Sequence, residues 1–143
     1  MPPVLRIRTI AAADVDTVIA LWNRCNLTRS WNDPGTDILR ARSGPNSAIL
    51  VGENAGVIVA SVMVGQDGHR GWIYYLAVDP GHQKNGFGVQ MVRAAEEWLK
   101  AQGMDKLLLM VRPENEAAQG FYRSAGYEEE PRIIFAKWLN GSP

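Results

Sequence analysis

The chain has one cysteine, Cys25, and two histidines, His69 and His82. A lone thiol excludes an intramolecular disulfide, and so small a stock of sulfur and imidazole ligands argues against a zinc or multi-cysteine metal site. Excess charge of either sign is missing as well: 15 Lys and Arg balance 15 Asp and Glu. No electrostatic footprint for nucleic acid or an anionic membrane surface is therefore expected. No apolar run approaches the ~20 residues that span a bilayer. The start, Met1-Pro2-Pro3-Val4, enters a strand-like alternation without a basic stretch, apolar core and cleavage site, so no signal peptide is expected. Internal repeats, low-complexity tracts and linkers are also lacking. What is present is a 143-residue chain, 46% hydrophobic and 21% charged. That length and balance predict one compact globular domain over residues 1–143, soluble and cytoplasmic.

Hydrophobic periodicity divides the chain into strand, two helices, three strands, helix, strand, helix and one or two closing strands. Residues 4–9 alternate apolar and polar, as a half-buried strand does. Val15, Val18, Ile19 and Trp22 recur at helical spacing within residues 14–25. Asp33-Pro34 reads as a helix start, because Asp caps free amides and Pro fits the first turn. A short helix over 34–42 follows, stopped by Ser43-Gly44-Pro45-Asn46. Residues 48–51 and 57–65 form a hairpin around Glu53-Asn54-Ala55-Gly56, and the bulky run 72–78 reads as a strand buried on both faces. A long helix over 86–102 closes at Gly103; a strand over 106–111, a helix over 115–125 and a strand over 133–138 complete the order. Strand-helix-strand after residue 72 implies a parallel crossover in an otherwise antiparallel sheet.

The most informative segment is Leu76-Ala77-Val78-Asp79-Pro80-Gly81-His82-Gln83-Lys84-Asn85-Gly86-Phe87-Gly88, between that strand and the long helix. Gly86 and Gly88 let backbone amides approach a ligand with no Cβ in the way. The helix N-terminus behind them offers free N–H groups and a partial positive charge, an anion site suited to phosphate or pyrophosphate. Backbone dipoles need no net basic charge, so the neutral composition is no objection. A nucleotide-hydrolysing loop requires Lys where Phe87 stands. A dinucleotide fingerprint requires a third glycine where Met91 stands.

The pattern Gln83-x-x-Gly86-x-Gly88 after Leu76-Ala77-Val78-Asp79-Pro80 resembles the acetyl-CoA signature of the GNAT acyltransferases. The stretch from Asn115 to Tyr127, with Phe121-Tyr122 and a closing Ala125-Gly126-Tyr127, resembles that family's second signature. Element order extends the resemblance over essentially the whole chain. Arg29 to Pro34 and Asp67 to Gly71 look like a small bacterial subgroup, the YpeA-like acetyltransferases. One departure is that Lys84 and Asn85 replace the commoner Gly-Lys. The resemblance implies an α/β (α+β) GNAT fold, with a central mixed, mostly antiparallel sheet of about six to seven strands and about four helices on its faces.

It also implies a chemistry: acetyl transfer from acetyl-CoA to a primary amine of a small molecule, with no metal. The cofactor residues implied are the backbone of Gln83, Lys84, Asn85, Gly86, Phe87 and Gly88 for the pyrophosphate, and that of Leu76, Ala77 and Val78 for the pantetheine arm, which would pair like an added strand. Asn115 and Tyr122 belong to the same set. A backbone N–H near Val78 would polarise the thioester carbonyl. Tyr122 matches the family's general acid, which protonates the leaving thiolate. The acceptor amine must also be deprotonated, and here the resemblance supplies no residue. Strand 72–78 carries no Glu, and Met110-Val111-Arg112 stands where N-terminal acetylating relatives often have Glu-Val-Arg. Residues open for the acceptor side are Trp31, Asp33, Asp37, His69 and Tyr74, with Asp67 as a further carboxylate and Tyr75 as a second phenol able to orient water. Asp33 also reads as a helix cap, Asp67 as a turn former and Trp31 as a plug between helices. The alternatives are acetylation of a peptide N-terminus and a non-catalytic acyl-CoA-binding module. Many relatives are homodimers, and five tryptophans offer interface candidates.

Overall fold

The computed structural model describes residues 3–141. Met1 and Pro2, with which the N-terminal pattern begins, lie outside them. Contacts group the chain into two compact units, Met1–Leu109 and Met110–Pro143.

The first unit is built on a five-stranded sheet of order β1-β2-β3-β4-β5. Strands β1 (Arg6–Thr9), β2 (Ser47–Asn54), β3 (Val57–Gln66) and β4 (Gly71–Val78) pair antiparallel in succession, and β5 (Leu107–Leu108) is parallel to β4. Between β2 and β3 the expected four-residue turn narrows to Ala55 and Gly56, both with positive φ. That is the two-residue primed turn whose twist matches the strands it joins.

Helices cover both faces of this sheet. On one face lie α1 (Val15–Arg24), entered through a 3-10 turn at Ala12–Asp14, and α2 (Pro34–Arg42). Val18, Leu21, Trp22, Ile38 and Ala41 from these helices pack with Ile49, Val51 and Ala77 of the sheet. The start of α2 follows from local chemistry: the Asp33 side chain accepts from the Thr36 amide, and Pro34 opens the first turn. On the other face lies α3 (Phe87–Ala101), whose buried residues Phe87, Met91, Val92, Ala95 and Leu99 recur at helical spacing. Close approach is made possible by glycine on the strands. A Cβ at Gly52 would come within 2.8 Å of Leu5 and 3.0 Å of Met91, and one at Gly71 within 2.5 Å of Leu99.

The second unit carries α4 (Glu116–Ser124). Its N-cap is Asn115, whose side chain accepts from the Ala118 amide, and its end is the left-handed Gly126 (φ 97°).

The α+β class and the mixed, mostly antiparallel sheet are as expected, with four α-helices among the described residues, but four expectations about strands need correction. The described sheet has five strands, not six or seven. The strand expected over 106–111 is reduced to Leu107–Leu108, and residues 133–138 form no strand. Strand propensity is realised only where a partner supplies hydrogen bonds. Ile133, Ile134 and Phe135 stay 83%, 64% and 92% exposed. Finally, β4 is not buried on both faces, since Tyr74 is 44% exposed.

Candidate active site

The key element is β4, because it changes partners part-way along. The amide of Gly71 donates to the Lys106 carbonyl on the β5 side, whereas that of Asp79 donates to the Val59 carbonyl of β3. Backbone groups in an unbroken strand alternate sides with period two. Residues 71 and 79 share parity, so facing opposite neighbours requires one extra residue between them. The register shows where: Met63 pairs with Tyr74, but Ser61 pairs with Ala77. Tyr75 occupies the bulge with φ 53°. Beyond it, Ala77 continues the bonded pairing with β3, so Leu76 and Val78 turn their N–H and C=O toward the opposite edge. Among the described residues no strand pairs with that edge beyond Trp72, since β5 meets β4 only at Gly71 and Trp72.

The open edge runs into the glycine loop. Asp79 organises its start: Arg24 Nε donates to Oδ1 at 2.8 Å, and His82 Nδ1 lies 2.9 Å from Oδ2. The His82 bond first, and Arg24 second, hold the Asp79 carboxyl below its ordinary value. His82 is therefore partly tied down, and Arg24 joins the loop without any local sequence signal. The Val78 carbonyl accepts from Gln83 Nε2 and from Cys25 Sγ, each at 3.3 Å. Burial pushes the Cys25 thiol up, so its sulfur serves as a protonated donor and not as a nucleophile.

Lys84 (φ 69°) and Gly86 (φ 79°) both take left-handed backbone. For glycine this is free, whereas a side chain costs about 1–2 kcal/mol. Gly86 is the N-cap of α3, and no side chain caps that terminus. The first-turn amides, including those of Phe87 and Gly88, therefore remain available to an anion. Gln83, Lys84, Asn85 and Gly86 are exposed. Phe87 is buried to 1% exposure and Ala77 to 2%, so these two have only backbone to offer.

The acceptor-side candidates separate. Asp33 caps α2 and also accepts from the Thr36 hydroxyl at 2.5 Å; that bond lowers its pKa. Asp67 accepts from the amides of His69 and Arg70 and from Trp72 Nε1, and the Arg70 bond leads in lowering it. Both carboxylates are thereby made weaker bases and are spent on local structure. His69 sits exposed in the same turn, and Trp31 is 46% exposed. Tyr74 lies outward on β4, its pKa raised by burial and by Asp67.

Asp37 differs, because the structure ties it to β4. The Tyr75 hydroxyl donates to Asp37 Oδ2 at 2.6 Å. The Tyr75 ring stacks on Trp22 at 3.9 Å with planes 3° apart, and Trp22 Nε1 donates to the buried Ser61 hydroxyl at 2.9 Å. Gly71 lies against Leu99 of α3, so an unbroken strand would place Tyr75 on the α3 face. The bulge puts it on the Trp22 face instead. Its left-handed backbone costs about 1–3 kcal/mol. A stacked aromatic pair, about 0.5–1.5 kcal/mol, and a hydrogen bond to a charged group, about 1.5–3 kcal/mol, offset that. No glycine or proline marks this bulge, so the sequence carries no signal for it.

In the second unit Tyr122 lies edge-on to Phe121 and Tyr127, with centroids 5.0 and 5.8 Å away. Burial raises its pKa to about 12. Its hydroxyl makes no hydrogen bond among the described residues. None of those residues has an unpartnered polar side-chain atom sealed from solvent, so this donor is open. Asn115 is committed through Oδ1 to capping α4 at 3.1 Å. No group of three or more His, Cys, Asp or Glu able to hold a metal occurs among the described residues. Nor is any described helix long and apolar enough to cross a membrane.

A mixed sheet with an unpaired central strand edge, leading into a glycine loop at an uncapped helix N-terminus, is the framework of an acyl-transfer enzyme. Comparison with known proteins supplies the family. Residues 15–127 match the Acetyltransferase (GNAT) family. An acetyltransferase of Yersinia enterocolitica is 42% identical over 135 residues, covering 94% of this chain and 96% of its own. One of Pectobacterium atrosepticum shows the same identity and coverage. The chain belongs to the GNAT family and is an N-acetyltransferase. Among solved structures, an aminoglycoside N-acetyltransferase in complex with CoA superposes with a TM-score of 0.83 at 16% identity, covering 97% of both chains. Glucosamine-6-phosphate N-acetyltransferase from Arabidopsis thaliana gives 0.73 at 24% identity, covering 94% of this chain and 98% of its own. These likenesses are of fold.

Proposed function

We propose that the chain, acting as one acetyltransferase domain over residues 1–143, moves an acetyl group from acetyl-CoA directly to a primary amine of a small molecule. The observation that carries this reading is the β4 bulge, which turns the Leu76 and Val78 backbone to an open edge just before an uncapped helix terminus. An extended amide-bearing arm ending in a pyrophosphate needs that succession: strand-like hydrogen bonds first, then a cluster of amide donors. The CoA complex of a protein with the same fold supports it.

In this reading the backbone amides from Gln83 to Gly88 bind the pyrophosphate, and the β4 edge binds the pantetheine arm. Gln83 and Cys25 already occupy the Val78 carbonyl. The Val78 N–H remains to polarise the thioester carbonyl, where an aligned donor is worth about 3–4 kcal/mol. The neutral amine attacks that carbonyl, the C–S bond breaks, Tyr122 provides the proton for the departing sulfur, and the nitrogen's surplus proton leaves to solvent, from which the Tyr122 phenolate is reprotonated. A phenol with a pKa near 12 stays protonated throughout the working range, though it is a weaker acid than an ordinary tyrosine. It therefore donates a hydrogen bond first, and transfers its proton as charge builds on sulfur. Cys25, half-buried and protonated, has no part in a covalent intermediate.

The test is a melt followed by an activity assay. CoA and acetyl-CoA should raise Tm, whereas ATP and NAD should not; absence of any rise with CoA would sink the reading. Thiol release from acetyl-CoA should then depend on an added small amine. Tyr122→Phe should lower kcat at least tenfold with the KM for acetyl-CoA within twofold of the parent. Full activity in that variant would remove Tyr122 as the acid.

A further inference from the structure

The Tyr75–Asp37 contact has no part in holding the cofactor, yet it joins the bulge of β4 to the first turn and a half of α2 at 2.6 Å. Every degree of freedom in Tyr75 except its hydroxyl is taken up. Its backbone is set by the bulge, and its ring is stacked on Trp22, itself fully buried and bonded to Ser61. A phenol held so firmly has one thing left to direct, the carboxylate it touches. Asp33 and Asp67 are consumed by a cap and a turn; Asp37 is the remaining acceptor-side carboxylate, and it lies one tyrosine side chain from the strand that would carry the thioester.

Two roles are open to such a carboxylate, and basicity decides between them. As a base for the attacking amine, a carboxylate would have to take a proton from an alkylammonium, whose amine is by far the stronger base. As a counter-ion it would hold any ammonium beside it in the charged, non-nucleophilic form. The ammonium it binds must therefore not be the one that is acetylated. We propose that Tyr75 is a positioning residue that fixes Asp37 as the counter-ion for a second ammonium group, so that the preferred acceptors are small diamines or polyamines. This rests on the acetyl-CoA reading above and names its acceptor class.

The experiment uses the full chain, acetyl-CoA and thiol release. The probes are linear diamines of two to eight carbons, each matched with the amino alcohol of equal length, which keeps one amine and loses the second charge. At least one diamine should exceed its amino alcohol tenfold or more in kcat/KM. Asp37→Asn should collapse that ratio toward one by raising the diamine KM, with the KM for acetyl-CoA within twofold of the parent. Tyr75→Phe, which retains the stack on Trp22, should reduce the ratio at least threefold. The ratio is taken within one preparation, so partial loss of folded protein cancels. The proposal is overturned if CoA raises Tm but no diamine is preferred, or if Asp37→Asn keeps the parent ratio. An unchanged ratio in Tyr75→Phe removes Tyr75 as the positioning residue. If CoA gives no rise in Tm, the acetyl-CoA reading itself fails, and this inference with it.

Discussion

Gly86 and Gly103 form a matched pair that separates backbone strain from ligand binding. They bracket α3, one at its N-cap and one just past its C-terminus, with φ of 79° and 80°. At neither position would a Cβ meet any atom within 4 Å. Alanine at either site therefore introduces left-handed strain of about 1–2 kcal/mol. A less flexible unfolded chain offsets about 0.4–1 kcal/mol of it, leaving about 1 kcal/mol. For 143 residues, an unfolding entropy of ~2.1 cal/mol/K per residue makes 1 kcal/mol about 3 °C in Tm. Without ligand, Gly86→Ala and Gly103→Ala should thus lose a similar few degrees. Only at Gly86 does the open space belong to the proposed pyrophosphate cradle. CoA at a hundred times its Kd stabilises by about 2.7 kcal/mol, or about 9 °C; a tenfold weaker site at the same concentration gives about 1.4 kcal/mol, or about 5 °C. Differential scanning fluorimetry with and without CoA should show the full rise in the parent and in Gly103→Ala. In Gly86→Ala about half or less should remain. Equal CoA-induced rises in the two variants would refute the placement of the anion at the start of α3.

Other perturbations probe the support beneath the site. Ser61→Ala leaves the buried Trp22 indole N–H without its acceptor and should cost about 1–3 kcal/mol in urea unfolding. Gly71→Ala forces a Cβ to within 2.5 Å of Leu99, which is itself only 3% exposed; overpacking of about 1–3 kcal/mol should follow in the same assay. The alkaline limb of stability has a definite sign. Burial raises the Tyr122 pKa to about 12, and burial with the Asp37 bond raises that of Tyr75 further. Above the ordinary tyrosine value near ~10 the unfolded chain ionises while these phenols stay protonated. Stability should fall as pH rises through that window, and less steeply in Tyr122→Phe.

Legibility followed the range of the interactions involved. The limits of α2 were readable because Asp33 and Pro34 act on amides within three residues of themselves. The loop and α3 were readable because Gly86, Gly103 and an apolar stripe lie within one element. The residues proposed for the cofactor lie in that same loop, and only the structure separates Phe87, whose side chain belongs to the core, from the exposed Gln83 to Gly86. Strand signals are weaker. Residues 106–111 and 133–138 have the composition of strands, but pairing is a property of two segments, and β5 contributes only Leu107 and Leu108.

By itself, then, the sequence pointed to the class of chemistry: a chain of balanced charge, whose glycine loop at a helix start offers backbone dipoles to an anion. Only the tertiary structure decided how β4 presents itself. One extra residue at Tyr75 reverses the parity of the strand, opening Leu76 and Val78 to one edge and carrying a phenol to Asp37 on the other face. No local motif encodes that bulge. It persists because Trp22, Ser61 and Asp37, distant in sequence, together outweigh the strain of a left-handed tyrosine.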